Sequence, residues 1–182
     1  MYHLVRIYST PDIFLILVLL LSLPLVSTAQ FQWAHQIGSA DNESAEEHVV
    51  DRDGNIIVTG HFENSVSIGR FEITSRDESD IFLYKTKPDG SVLWVKTFGG
   101  PVYGGDVGVD TDADGNIYVA GGFIKELYID GALKLTAVQN NNYWNSFLSK
   151  LDGDGNMIWT KGILGTTALS EVRVWGLISV NK

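Results

Sequence analysis

The chain contains no cysteine, few prolines and few basic residues, and each shortage excludes something. Its 182 residues include no Cys, four Pro and 13 Lys or Arg against 22 Asp or Glu, which gives a formal net charge of −9. Without cysteine the protein has no disulfide, no thiolate metal site, no thiol nucleophile and no lipid-modified cysteine. The acidic balance, with no stripe of Lys and Arg, disfavours binding to a phosphate backbone. We therefore predict no nucleic-acid partner.

A long apolar run occurs only near the amino terminus. Residues 13–23 are apolar apart from one serine, a proline follows, and small side chains end at Ala29. The run is shorter than the roughly 20 residues that a membrane span needs, and the small residues suit cleavage by a signal peptidase. The pattern predicts a signal peptide over residues 1–29 and a protein that is secreted or lies at the cell surface, without membrane contact after cleavage. A retained amino-terminal anchor is the alternative.

The clearest positive feature is a ten-residue stretch that occurs twice. Asp53-Gly-Asn-Ile-Ile-Val-Thr-Gly-His-Phe62 returns 61 residues later as Asp114-Gly-Asn-Ile-Tyr-Val-Ala-Gly-Gly-Phe123. Asp, Gly and Asn favour a tight turn, and the following residues are apolar on both faces, as in a strand between two sheets. A glycine within each strand, Gly60 or Gly121, indicates a bulge or a close backbone approach. Self-similarity at a fixed period indicates a repeat architecture.

Each repeat unit holds about four predicted strands joined by short turns, which is an antiparallel meander and the sheet of a propeller blade. The predicted fold class is all-β, with about two complete blades plus partial ones in an open arc rather than a closed ring. We expect a fragment of a longer protein, because propellers close with about four to eight blades. Residues 30–47 are predicted to form a stray Trp strand and a surface loop over 39–47, and residues 48–99 to form repeat 1. Repeat 2 is predicted over residues 107–161, with four extra residues near 139–142, and repeat 3 is predicted to start at residues 171–182.

These motifs together resemble a known family. Trp-x-Lys, Gly-Asn-Ile-Tyr-Val-x-Gly-x-Phe, Ile-Phe-Leu-x-Lys and Asp-Gly-x-x-x-Trp all occur within residues 31–180. Their combination resembles the secreted bacterial β-propeller repeat (SBBP) family. The resemblance implies large exported or surface proteins, many of them from Bacteroidetes. It brings no established catalytic residues to this chain.

Asp110, Asp112 and Asp114 form the sharpest candidate metal site, ahead of the shorter loops at Asp51–Asp53 and Asp152–Asp154. Alternating carboxylates before Gly115 could converge on calcium, which prefers oxygen ligands. The closing ligand is missing, however, since the twelfth position of an EF-hand loop falls on Gly121. A solvated turn between two inner strands is the other interpretation. Calorimetric titration of wild type and Asp112→Ala with calcium would distinguish them, and no other cofactor is predicted.

Recurring aromatic and ionisable residues add no catalytic constellation. Trp33, Trp94 and Trp159 occur once per unit, which favours anchors that pack between blades over platforms that stack on sugars. His35, His48 and His61 lie 13 residues apart without a metal-ligand pattern. Glu46 and Glu47 could act as paired acids, although an acidic loop is the simpler interpretation. No nucleophile elbow, phosphate loop or zinc-protease motif is present.

The sequence therefore predicts a non-catalytic exported module that binds or scaffolds at the cell surface or outside the cell. Its partner would be an extracellular glycan or protein, contacted by loops such as 39–47 and 139–144. The alternative is part of a propeller glycosidase or lyase whose catalytic residues lie in further blades. A purely structural spacer is a third possibility.

Overall fold

The computed structural model describes residues 33–34, 37–38, 41–100, 107–138 and 143–165. The chain divides into Met1–Gln32 and Trp33–Lys182, and every described residue belongs to the second part. The predicted signal peptide, the predicted start of repeat 3 and the tract 139–142 therefore lie outside the described residues. Within the described ranges no helix is long and apolar enough to span a membrane.

Twelve β-strands and no helix make up the described ranges. In chain order the strands are β1 (Glu43–Val50), β2 (Ile56–Phe62), β3 (Ser65–Ile68), β4 (Phe71–Thr74), β5 (Asp80–Thr86), β6 (Val92–Gly99), β7 (Gly108–Thr111), β8 (Ile117–Ile124), β9 (Glu126–Ile129), β10 (Ala132–Thr136), β11 (Trp144–Leu151) and β12 (Met157–Ile163). Every pair of neighbouring strands is antiparallel.

Two four-stranded meanders form the framework, and the predicted all-β blade architecture is confirmed. Blade 1 has the strand order β1-β2-β5-β6, and blade 2 has the order β7-β8-β11-β12. A hairpin is inserted between the second and third strands of each blade: β3–β4 in blade 1 and β9–β10 in blade 2. The second hairpin extends the sheet of blade 1, because β9 pairs with β6 through Phe98↔Ile129 and Gly99↔Tyr128. The described strands form no closed ring.

The prediction of a loop over residues 39–47 is wrong in its second half, because β1 begins at Glu43. Pairing with β2 starts at Glu43↔Phe62 and is interrupted by a bulge between Ala45 and Glu47. The strand was missed because its side chains are mostly polar and exposed. A strand at the edge of a sheet needs no apolar alternation when its backbone alone makes the pairing.

Two apolar clusters lie on opposite faces of blade 1. The first joins the two blades and includes Ile57 and Leu83 of blade 1 with Val119 and Phe147 of blade 2. The second lies beneath the hairpin β3–β4 and includes Phe62, Val66, Ile68, Phe82 and Tyr84, with Ile37 packed against it. Strand β2 contributes to both clusters, which confirms the prediction of a strand between two apolar layers.

The two strand glycines lie where the backbone is crowded, as predicted. Gly60 pairs with Ala45 beside the β1 bulge, and a Cβ there would overlap the Ser44 carbonyl oxygen and lie 2.7 Å from the Phe82 ring. At Gly121 a Cβ would lie 3.0 Å from the ring of Phe147. Each glycine therefore makes room for the phenylalanine of the adjacent strand.

Candidate functional site

The blades have two chemically different ends. One end, called here the turn rim, carries the β1–β2, β5–β6, β7–β8 and β11–β12 turns. The opposite end, the loop rim, carries the β4–β5 connection, and β6 and β10 also end there. The first apolar cluster fills the space between the two blades, so the rims are the first places to look for a small-ligand or metal site.

Three turns of the turn rim share the sequence Asp-x-Asp-Gly-Asn, and their geometry is the same. In the β7–β8 turn, Asp112 Oδ1 accepts hydrogen bonds from the backbone N–H groups of Asp114 (3.1 Å) and Asn116 (2.9 Å). Gly115 has φ +84°, the left-handed conformation that glycine adopts at little cost. Asp51 and Asp152 make the equivalent bonds in their own turns. The repeated Asp-Gly-Asn motif is thus part of a hairpin turn, and the aspartate two residues before its glycine-preceding aspartate closes that turn by hydrogen bonds.

Of the candidate calcium ligands, Asp112 makes the contacts that stabilise this turn. Asp112 Oδ2 accepts hydrogen bonds from the Asn116 amide at 2.9 Å and the Tyr118 hydroxyl at 3.1 Å, and it lies 3.3 Å from Lys150 Nζ. Burial raises the pKa of Asp112, but the bonds from Asn116, Lys150 and Tyr118 outweigh it and hold that pKa far below its usual value. Asp110 accepts a bond from the Thr111 amide.

The three carboxylates do not form a metal cluster. No group of three or more His, Asp or Glu side chains that could hold a metal ion occurs in the described ranges. The interpretation of Asp112 as a turn residue accounts for its contacts, and calcium binding by Asp110, Asp112 and Asp114 stays a prediction.

A lysine that the sequence analysis did not single out, Lys85, pairs with the first aspartate of the β1–β2 turn, Asp51. Lys85 Nζ lies 2.9 Å from Asp51 Oδ2, and both side chains are more than nine-tenths buried. Lys85 also donates to the Gly153 carbonyl of blade 2 at 2.9 Å. The equivalent pair in blade 2, Lys150 and Asp112, is more exposed. The signal was present in the sequence, because both the aspartate and the lysine recur in each unit.

Two of the three recurring tryptophans, Trp33 and Trp94, connect neighbouring units, as the sequence predicts. Trp94 donates through Nε1 to the Gly153 carbonyl at 3.4 Å, and a Cβ on Gly155 would lie 3.0 Å from its ring. Trp33 makes the same arrangement with the β5–β6 turn: it donates to the Pro88 carbonyl at 2.7 Å, and a Cβ on Gly90 would lie 2.8 Å from its ring. Trp33 and Trp94 therefore each lie against a glycine of a turn in the following unit, whereas the ring of Trp159 contacts Tyr118 and Lys161 of its own blade.

Glu46 and Glu47, for which an acidic loop was the favoured prediction and paired acids the alternative, face the neighbouring blade from strand β1. Glu46 and Glu47 accept hydrogen bonds from the backbone N–H groups of Val107 at 3.4 Å and Val109 at 3.0 Å. The bulge at Glu46 allows this, because a bulge redirects consecutive side chains. Glu46 also lies 3.5 Å from the buried His61. These carboxylates thus connect β1 to β7, which favours a structural role over general acid–base catalysis.

The predicted histidine series does not come together. His48 is exposed on β1, His61 is buried on β2, and His35 lies outside the described residues.

Two pockets occupy the loop rim on either side of the β4–β5 connection. The acidic pocket, of about 350 Å³, is lined by Glu43, Glu46, His61, Glu63 and Glu78 among others. The mixed-charge pocket, of about 510 Å³, is lined by Arg76, Asp77, Lys125, Glu126 and Tyr128 among others. In the second pocket the Arg76 guanidinium lies 3.6 Å from the centre of the Tyr128 ring, a cation–π contact. The Tyr128 hydroxyl donates to Glu126 at 2.7 Å.

A buried carboxylate lies at the base of the same connection. Asp80 is 2% exposed, and its Oδ2 accepts a hydrogen bond from the Arg76 amide at 3.0 Å. Burial raises the pKa of Asp80 to about 6, an effect that the amides of Arg76 and Gly100 only partly offset. Blade 2 has Asn145 at the corresponding position, where its Oδ1 accepts the Gly165 amide at 3.0 Å. The sequence analysis did not identify Asp80, because burial of its side chain cannot be seen in an alternating pattern.

Comparison with known proteins adds one similarity. No family model matches the chain. Over 124 residues the chain is 27% identical to "Uncharacterized WD repeat-containing protein L264" of Acanthamoeba polyphaga mimivirus, an alignment that covers 60% of this chain and 9% of the viral protein. WD repeats build propeller blades of four strands. Together with the repeated four-stranded sheets, this similarity supports a propeller-like fold, whereas membership of the SBBP family stays a prediction.

Proposed function

We propose that this chain is a non-catalytic propeller repeat module that is exported and binds an extracellular glycan or protein through its loop rim. The proposal rests on a difference between the two rims. Side chains of the turn rim hold the blades together, since Lys85 and Trp94 of blade 1 both donate to the Gly153 carbonyl of blade 2. The loop rim carries the β4–β5 connection and the two pockets described above.

The chemistry of the loop rim favours polar ligands. The acidic pocket offers several carboxylates, which accept hydrogen bonds from hydroxyl or amide groups. The mixed-charge pocket adds the Arg76 guanidinium, which lies 3.6 Å from the centre of the Tyr128 ring and can donate in a planar, bidentate manner. A rigid scaffold that presents such groups on loops is a common arrangement for binding.

The carboxylates of the described residues give little support to the enzyme alternative. Asp51 and Asp112 are paired with lysines, and Glu46 and Glu47 bond to backbone amides of β7. A glycosidase needs two carboxyl groups on either side of a scissile bond, and side chains that hold blades together are poorly suited to that task. A propeller glycosidase or lyase would need catalytic groups from further blades.

A printed glycan array tests the binding proposal with the full chain and three variants. Arg76→Ala and Glu78→Ala alter the loop rim, and Asp53→Ala alters an exposed side chain of the turn rim as a matched control. We expect retention of one glycan class by wild type and Asp53→Ala, with at least a tenfold loss in a loop-rim variant. Equal loss in all three variants would overturn the assignment of the site. Product release from the retained glycan would favour the enzyme alternative.

Export is tested separately. Residues 1–29 fused to a periplasmic reporter should direct it out of the cytoplasm, whereas the same fusion without residues 13–23 should not. A reporter that stays in the cytoplasm with the intact segment would contradict the exported location.

A further inference from the structure

Two equivalent buried side chains of the blades differ in one functional group. Asp80 lies opposite Phe62 in blade 1. Asn145 lies opposite Phe123, the equivalent phenylalanine of blade 2. Asp80 is 2% exposed and Asn145 is 4% exposed. Blade 1 therefore has a carboxyl group, which can titrate, at a position where blade 2 has an amide, which cannot.

The side chain of Asn145 uses both ends of its amide. Its Oδ1 accepts a hydrogen bond from the Gly165 backbone N–H at 3.0 Å. Its Nδ2 donates to the Tyr143 carbonyl at 3.1 Å. The position in blade 2 is thus filled by a side chain that both accepts and donates.

An ionised Asp80 can reproduce only the accepting half of this arrangement. Its Oδ2 accepts a hydrogen bond from the Arg76 amide at 3.0 Å. The amide of Gly100, which follows Asp80 at the same spacing as Gly165 follows Asn145, also bonds to the carboxyl. Its Oδ1 is buried and has no hydrogen-bond partner in the part of the chain that the structure describes. A proton on Oδ1 would make it a donor, which is the role of Nδ2 in Asn145.

The groups packed against Asp80 give its ionised form little stabilisation. Phe62 of β2 is apolar, and on β6 a Cβ on Gly99 would overlap Oδ2, so the carboxyl occupies the space that this glycine leaves. Burial raises the pKa of Asp80 to about 6, and the charges of Asp77 and Arg76 act on that pKa in opposite directions.

The other titratable groups near this position lie on three segments. The charged or titratable residues of the segments packed around Asp80 are Arg76, Asp77 and Glu78 of the β4–β5 connection, His61 and Glu63 beside Phe62, and Glu126 and Tyr128 of β9. Tyr128 donates to the Glu126 carboxylate, and Glu46 lies 3.5 Å from His61. Arg76 is therefore the cation of this set that favours an ionised Asp80, and Asp77 opposes it.

The segment that bonds to Asp80 forms a wall of both loop-rim pockets. Arg76 and Asp77 line the mixed-charge pocket, and Glu78 and Ser79 line the acidic pocket. All four residues belong to the β4–β5 connection, which the bond from the Arg76 amide ties to Asp80. The protonation state of one buried carboxyl group thus bears on both pockets.

We propose that the β4–β5 connection is a proton-controlled switch, closed over Asp80 when this residue is protonated and open when it is ionised. In the closed state the carboxyl accepts through Oδ2 and donates through Oδ1, as the amide of Asn145 does. Ionisation leaves a buried charge, and opening of the connection gives that charge water. The effect on ligand binding rests on the proposed function of the loop rim, whereas the switch itself does not.

The direction and size of the effect follow from proton binding. The closed state holds its proton up to about pH 6, whereas the hydrated carboxyl of the open state should titrate near the ordinary pKa of 3.8. Each pH unit between these values therefore raises the ratio of open to closed molecules about tenfold. The total rise is about a hundredfold. It levels off above about pH 6 because neither state then binds the proton.

Amide hydrogen exchange tests the switch in the full chain without any ligand. After correction for the intrinsic exchange rate, protection of the Arg76 amide should fall about a hundredfold between pH 4 and pH 7. Asp80→Asn should keep that protection constant, because asparagine supplies a permanent donor. The Gly165 amide, bonded to Asn145, is the internal control and should not change. Constant protection of Arg76 in wild type, or an equal fall at Gly165, would overturn the proposal.

The reciprocal substitution should transfer the behaviour to blade 2. Asn145→Asp replaces the Nδ2 donor by a titratable oxygen, so protection of the Gly165 amide should now fall as pH rises. Asn145→Ala is the matched control, since it removes the side chain and should lower that protection equally at every pH. Protection of Gly165 that does not respond to pH in Asn145→Asp would contradict the proposal. If a blade 2 variant fails to fold, wild type and Asp80→Asn still decide.

The consequence for binding is measured on the glycan array at two pH values. A glycan that wild type retains should be bound more tightly at pH 5 than at pH 7.5, and Asp80→Asn should bind it equally at both. Binding that is independent of pH in wild type, together with a fall in Arg76 protection, would overturn the coupling to the loop rim. The absence of any retained glycan would contradict the proposed function and not the switch, which the amide measurement decides.

Discussion

At the scale of single residues, Asp51 and Asp112 have the same role in sequence but different surroundings. Each fastens its own turn and pairs with a lysine of the third blade strand. Blade 2 covers only the first pair, through the Gly153 carbonyl. Removing one partner of a buried pair leaves an uncompensated charge, whereas exposed pairs contribute little.

Replacing Asp51 or Asp112 by asparagine should therefore lower the free energy of unfolding by different amounts. Asp51→Asn keeps the turn-forming oxygen but leaves Lys85 buried and unpaired, and we expect a loss of about 3 kcal/mol in the free energy of unfolding. Asp112→Asn should cost less, because the Lys150–Asp112 pair is only partly buried. Urea unfolding of both variants measures the difference. Equal losses would mean that blade 2 does not cover the first pair.

Asp80 predicts how stability depends on pH. Its pKa of about 6 in the folded protein exceeds the ordinary value of 3.8, so the folded state binds this proton more tightly than the unfolded state. The contribution of Asp80 to stability is therefore fully present below about pH 4 and is lost as pH rises through about 6.

Asp80→Asn should remove this dependence, since asparagine does not titrate and blade 2 already has Asn145 at the equivalent position. Between pH 4 and pH 7 the wild type should lose up to about 2 kcal/mol relative to the variant. Thermal unfolding at a series of pH values provides the comparison. A constant difference across that range would show that folding does not raise the pKa of Asp80.

At the scale of elements, the strand glycines set how closely β1 and β2 approach. Gly60→Ala places a methyl group against the Ser44 carbonyl and the Phe82 ring, and overpacking of this kind costs about 1–3 kcal/mol. Gly131→Ala is the control, because that glycine has a positive φ but no neighbour within 4 Å. Its cost should be only the roughly 1 kcal/mol of the left-handed conformation. Denaturant midpoints that shift more for Gly131→Ala than for Gly60→Ala would contradict the crowding argument.

The elements also show what could be read from the sequence. The turn, the apolar strand and the glycine of each unit were predictable because propensity, periodicity and repetition agree there. Strand β1 was not predictable, since its residues are polar and its pairing rests on the backbone. The calcium hypothesis arose because the sequence Asp-x-Asp-Gly-Asn is compatible both with binding a cation and with a turn that is closed by hydrogen bonds to the first aspartate. Only the contacts of Asp112 with Asn116 and Lys150 favour the turn.

At the scale of the whole molecule, the blades are joined by contacts that no single unit contains. Lys85 and Trp94 share the Gly153 carbonyl, Glu47 bonds to the Val109 amide, and β6 pairs with β9. Sequence repetition located most of these residues without showing that they meet. Contacts between units depend on how one sheet is placed against the next, and a pattern within one unit does not record that placement.

The central claim is that the units pack as consecutive blades, with the hairpin of blade 2 against the outer strand of blade 1. An engineered disulfide tests it most directly, because the chain has no other cysteine. In a Thr97→Cys, Asp130→Cys double variant the two sulfurs should be within bonding reach, since Asp130 follows the paired residue Ile129 and its amide donates to the Thr97 carbonyl at 3.0 Å.

We predict rapid formation of an intramolecular disulfide in the monomer and a gain of up to about 3 kcal/mol in stability when it is oxidised. Thr97→Cys with Lys134→Cys is the matched control and should keep free thiols. Free thiols that persist in the first variant under mild oxidation, measured by thiol titration, would contradict the packing of the two blades.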